Sequence, residues 1–239
     1  MAIEGAAGAG TQAEDAYRAI RGAIIRWELE PGAQVSELQL ASSFGFGRAA
    51  VRAALTRLRH EQLVESAPRR GYVVAPITFK QVQEMFGVRL IVEPAAAKIV
   101  ASKADDLVIA ELERLNQACE PRSGPYDVLA LRQANKVFHV ALTRATCNDR
   151  LAEITSDAVD HLQRILYLPQ VNDRNGLVNS TFAEHARILD AIRARDPRAA
   201  EREMHDHVLR NKEGVIEALL DSRALRSLNL GAGDSVLSR

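Results

Sequence analysis

Residues Phe44–Ala75 read FGFGRAAVRAALTRLRHEQLVESAPRRGYVVA, and between Arg48 and Tyr72 they hold six arginines against two glutamates. The whole chain is neutral, with 31 basic and 31 acidic residues among 239. Basic charge is therefore gathered in this stretch, not spread over the surface. Val51, Ala54, Leu55 and Leu58 recur at helical spacing, and Arg48 and Arg52, four apart, share the face away from them. The pattern then changes: LVESAPRRGYVVA reads as a short strand, a Pro-Arg-Arg-Gly turn and a valine-rich strand.

Working outward, AEDAYRAIRGAIIRW places Ala16, Ile20, Ala23, Ile24 and Trp27 at helical spacing. LEPGAQV supplies a Pro-Gly turn, Ser36 is positioned to cap a short helix ELQLASSF, and GFG ends that helix. Helix, helix, turn, helix and a two-stranded wing is the order of a winged helix-turn-helix, whose second turn helix enters the major groove by its N-terminal end. Arginine there reads guanine edges or clamps phosphates. Arg69 and Arg70 fall at the wing tip beside Gly71. Taken alone, an arginine pair reads as a solvated charged face. The complete order of elements turns the reading to DNA.

Beyond Pro76 no strand signal occurs. A long helical pattern starts at Thr78, and others run over about Asp105–Cys119, Pro125–Thr146, Asp149–Leu168, Leu177–Arg195 and Pro197–Leu220. EPRSGP, TCND, PQVNDRNG and RDP separate them. The expected fold is mostly α: a winged helix-turn-helix over 11–76 and a bundle of about six helices over 77–222. An arm of small residues at 1–10 and a weakly ordered tail at 223–239 flank them. Hydrophobic content of 47% and charged content of 26% are those of an ordinary globular protein. Cys119 and Cys147 lack metal-ligand spacing, no run approaches the roughly 18 apolar residues of a membrane helix, and the leader has neither a basic start nor an apolar core. The expected location is the cytoplasm.

Three histidines fall on apolar stripes of three helical patterns. His139 follows Asn135 by one turn, His185 shares a face with Ile188, Leu189 and Ile192, and His207 shares one with Met204, Val208 and Asn211. They are either separate core histidines or, if the stripes converge, a site for a divalent metal such as zinc, nickel or manganese. Arg89 lies on a stripe with Val82, Met85, Phe86, Glu93 and Ala96. A buried guanidinium needs an anion, either Glu93 one turn on or the carboxylate of a ligand.

The segment from Ile20 to Ala75 resembles the N-terminal domain of the GntR family of bacterial transcription regulators. The resemblance rests on the turn at Glu28–Gly32, on Ser36–Ala41 and Gly45–Leu58, and on the wing ending Arg69–Gly71. Three positions depart from the pattern: Trp27 stands for the turn glycine, Leu38 for a DNA-contacting arginine, and Gly47 for a serine or threonine. Residues 78–220 resemble the FCD ligand domain of the FadR-like branch, through Arg89 and Glu93, Asn135 and His139, CNDRL at Cys147–Leu151, and then His185 and His207. The resemblance implies DNA contacts from Ser36, Arg48, Arg52, Arg69, Arg70 and Gly71. It also implies a metal held by Asn135, His139, His185 and His207, with Asn135 in place of the usual aspartate and so a weaker site. The expected molecule is a homodimeric regulator that binds a palindromic double-stranded operator and responds to a small carboxylate held near Arg89. The alternative is a metal-dependent enzyme, or a metal sensor without an organic ligand, built on the three histidines. No acid or base is convincingly placed for the enzyme.

Overall fold

The computed structural model describes residues 6–68, 71–120, 128–166 and 181–221. They form two compact units, Met1–Ile77 and Thr78–Arg239.

The first unit holds helices α1 (Ala6–Ile25), α2 (Glu37–Phe44) and α3 (Arg48–His60) with strands β1 (Gln34–Val35), β2 (Val64–Ala67) and β3 (Gly71–Val74). α1 packs against α3, and Ala16, Ile20, Ala23, Ile24, Val51, Leu55 and Leu58 are all fully buried. The helix begins at Ala6, inside the stretch expected as an arm, where alanine favours the helical state. Trp27 leaves the stripe on which periodicity placed it: it follows the helix with φ 62°, the left-handed conformation in which glycine carries no penalty. Ser36 and Gln39 cap α2 reciprocally, Ser36 Oγ accepting from the Gln39 N–H at 3.2 Å and Gln39 Oε1 from the Ser36 N–H at 3.0 Å. Gly45, φ 72°, closes that helix.

The wing has three strands, not two. Their order is β1-β3-β2, with both pairings antiparallel. At Gly71 φ is +86° and an added Cβ would lie 2.7 Å from the Val35 carbonyl oxygen. Glycine is thus required both by its dihedral and by the backbone crossing above it.

The second unit is an all-helical bundle: α4 (Phe79–Lys103), α5 (Asp106–Gln117), α6 (Val128–Arg144), α7 (Asp149–Leu166), α8 (Thr181–Arg193) and α9 (Pro197–Asp221). Thr78 and Gln81 form a second reciprocal cap, and Asp105 accepts from the Val108 N–H at 2.8 Å. α4 packs on α6, α7, α8 and α9. That central position explains why Arg89, Glu93 and Pro94 are buried within it. No described helix is long and apolar enough to cross a membrane.

Candidate functional site

The three histidine stripes converge. His139 on α6, His185 on α8 and His207 on α9 are at most 1% exposed, and their nearest ring nitrogens lie within 4.8 Å of one another. The rings touch: His139 and His207 stack with centroids 5.1 Å apart, and His185 meets both edge-on at 5.1 and 4.8 Å. Phe138 stacks on the outer face of His185 at 3.9 Å.

Two of the rings have their other nitrogen held, and the third has a carboxylate close by. His207 Nδ1 donates to Glu184 Oε2 at 2.6 Å. His185 Nδ1 donates to Asn116 Oδ1 at 3.1 Å, while the Asn116 amide nitrogen donates to the Phe182 carbonyl at 3.2 Å and so fixes the amide's orientation. His139 Nδ1 lies 2.8 Å from Glu93 Oε2, close but poorly aligned. Carboxylates and amide oxygens only accept, so Nδ1 of His185 and of His207 carries the hydrogen of the neutral ring, and Glu93 favours the same tautomer in His139. In that tautomer Nε2 keeps a lone pair.

Those lone pairs face inward. His139 Nε2 and His207 Nε2 are 3.2 Å apart. Arg89 Nη2, 3.4 Å from His139 Nε2, offers that nitrogen one donor, and a metal ion between the two nitrogens would serve both. Two nitrogens about 2.0–2.1 Å from one ion lie about 2.8–3.4 Å apart at octahedral to tetrahedral angles. His185 Nε2 and Asn135 Oδ1 are buried without a hydrogen-bond partner among the described residues. The donor set therefore suits a divalent metal: converging imidazole nitrogens, tautomers favoured by outer acceptors, and a buried amide oxygen one turn before His139.

The electrostatics agree. Burial lowers the pKa of all three rings, that of His139 to about 4. The neutral, ligating form is the stable one. Burial alone would raise Glu93, but the Arg89 guanidinium beside it holds its carboxyl well below the usual range. Arg89 grips Glu93 by Nε at 2.6 Å and Nη2 at 3.2 Å, and Nη2 also lies 3.4 Å from His139 Nε2. Glu93, one turn on, is thus a partner of Arg89. Glu184 accepts from Arg210 Nε at 2.8 Å.

In the first unit, Arg48 and Arg52 are exposed on the side of α3 away from its buried Ala50, Val51, Ala54, Leu55 and Leu58. Arg52 donates from Nε to Glu37 Oε1 at 2.9 Å and from Nη2 to Glu37 Oε2 at 2.8 Å. Gly47 precedes α3 with no side-chain cap. The Ser36 hydroxyl is engaged in capping α2. Gly71 holds a β3 position that its own backbone explains. Arg69 and Arg70 lie outside the described residues. Sequence reasoning missed the acceptors behind the rings, Asn116 and Glu184, and the carboxylate behind Arg52. A glutamate directly before His185 was the only visible cue.

Residues 84–210 match the FCD domain, and residues 12–74 match the bacterial regulatory proteins of the gntR family. Among curated proteins, the HTH-type transcriptional repressor RspR of Escherichia coli is 29% identical over 208 residues, 83% of this chain and 86% of its own. The Glc operon transcriptional activator of the same organism is 25% identical over 210 residues, 80% of this chain and 83% of its own. In fold, the chain is similar to E. coli McbR/YncC, with TM-score 0.75 at 18% identity over 86% of this chain and 97% of that one. It is also similar to a GntR-type regulator from Rhodococcus sp. RHA1, with TM-score 0.69 at 22% identity over 87% and 99%.

Proposed function

This chain belongs to the gntR family of bacterial regulatory proteins and carries the FCD domain, and from that premise we propose that a metal-assisted carboxylate controls its hold on a palindromic operator. It is a ligand-responsive transcription regulator and not an enzyme; the curated proteins it matches are transcriptional regulators. The observation that carries the proposal is the convergence of three buried imidazoles, two of them held at Nδ1 by Asn116 and Glu184 and the third with Glu93 beside it. His139, His185 and His207 would hold zinc, nickel or manganese, with Asn135 as an uncharged fourth donor. Once bound, such a metal supplies a positive centre that attracts a carboxylate. Arg89 Nη2, 3.4 Å from His139 Nε2, supports a carboxylate at the same place.

In the first unit, Arg48, Arg52, Arg69 and Arg70 would meet DNA, with Ser36 and Gly71 shaping the surface that carries them. A homodimer fits a two-fold operator. It is supported by the outer side of α4, where Ile91 is 75% exposed, Ala95 is exposed, and Val88, Val92 and Ile99 are half-buried. A protein that binds an operator works in the cytoplasm. A second reading, a metal sensor with no organic ligand, is favoured by one observation: Glu93 already occupies the Arg89 fork.

Elemental analysis of protein purified without chelator, then incubated with zinc, nickel or manganese, tests the metal. Wild type should take up one ion per chain and His139→Ala none, while Asn135→Asp should bind more tightly by adding a charge. Equal uptake by wild type and His139→Ala would make these ordinary core histidines. Thermal shifts with small carboxylates, with and without the metal, separate the two readings.

A further inference from the structure

We propose that Glu37 is a positioning residue that aims Arg52 at a guanine. This rests on the reading of α3 as the DNA-facing helix. A guanidinium has five N–H donors. In Arg52, Nε–H and one hydrogen of Nη2 go to the two Glu37 oxygens, and Tyr72 acts on it only through its charge. The Nη1 hydrogens and the second on Nη2 remain. Nη1 and Nη2 together form the parallel pair that the O6 and N7 atoms of guanine accept.

Exposure gives the contact its direction. The Arg52 side chain is 62% exposed and that of Glu37 only 19%. The carboxylate lies behind the guanidinium, which faces outward. Glu37 is the first residue of α2, fixed by the reciprocal cap of Ser36 and Gln39. The buttress thus stands on a rigid helix start, where a negative charge is also favoured. A free arginine must freeze several rotatable bonds to present its fork, and one already held loses less.

The arrangement carries an opposing effect that makes it testable. A carboxylate beside the groove repels phosphates, so Glu37 weakens binding to DNA of every sequence. A residue that lowers general affinity while orienting a reader trades strength for discrimination.

The test is selection from a random duplex library with the full chain at fixed salt, using wild type, Arg52→Ala, Glu37→Gln and Glu37→Asp. Wild type should enrich a sequence containing a guanine whose preference vanishes in Arg52→Ala. Glu37→Gln should reduce preference for that same guanine by about fivefold or more, while binding random duplex as well as wild type or better. Glu37→Asp keeps the charge but is a methylene short of the two-point contact. It should lose the preference without gaining random-duplex affinity, and it decides the case if melting shows that Glu37→Gln is unfolded. The proposal is overturned if the guanine preference survives in both variants, or if both weaken selected and random duplexes by one factor, as a structural role would. It is equally overturned if they alter a base pair that Arg52→Ala leaves alone, which would make Glu37 a direct reader. A wild-type chain that enriches nothing sinks the DNA reading itself, and this inference with it.

Discussion

Arg89 shows what a single buried charge does in this bundle. It is 3% exposed and its partner Glu93 is 0% exposed, so Arg89→Ala leaves a carboxylate in the core with only His139 to answer it. Removing one partner of such a pair costs about 3–5 kcal/mol. Chemical denaturation should show a loss of that size, together with weaker metal uptake because Glu93 orients His139. A variant as stable as wild type would mean that the carboxylate is solvated in solution. The stripe of Arg89 and Glu93 was legible in the sequence because the two residues lie one turn apart on one helix. Asn116 and Glu184 were not, because they lie 69 and 23 residues from the histidines they orient. Periodicity states which way a side chain faces, but not what it meets.

Elements were most legible where they were long. The bundle helices follow their apolar periods and begin at caps visible in the sequence, Thr78 and Asp105. β1, two residues long, has no period to read and exists because β3 offers it an edge. Its junction with β3 makes a sharp prediction. Gly71→Ala meets both a left-handed backbone penalty of about 1–2 kcal/mol and the Val35 carbonyl. It should therefore lower the melting temperature of the first unit and loosen amide protection at Gln34–Val35. Unchanged hydrogen exchange there would contradict the close approach.

The end of α5 carries a pH signature. Burial raises the Cys119 thiol from 9.0 to about 12. A group whose folded pKa is raised supplies stability that is complete below its unfolded value and is lost as pH rises toward the folded one. Stability should fall from about pH 9 toward pH 12, and Cys119→Ala should show a shallower fall in melts taken across that window. Identical slopes would remove the thiol from the account.

For the molecule as a whole, the outer side of α4 sets the expectation. If Ile91, 75% exposed, is covered by a second copy, Ile91→Asp should sediment as a monomer. Its affinity for a palindrome should fall toward that for a half-site, with metal uptake unchanged. A dimer that persists would place the interface elsewhere. The division into two units was legible from the change of pattern near Pro76. A homodimer was expected from the two-fold operator, but the face it would use was not legible, because an exposed apolar stripe and a buried one look alike in a list of residues. The order of the helices has one more consequence, for the time at which the histidine cluster comes into being. Its third imidazole stands on α9, 68 residues after the first, whereas every element of the winged unit precedes Thr78. Made on the ribosome from its N-terminus, the chain completes the winged unit first and the histidine cluster last. A nascent or clipped molecule ending before His207 would carry two of the three converging rings and no means of closing the set.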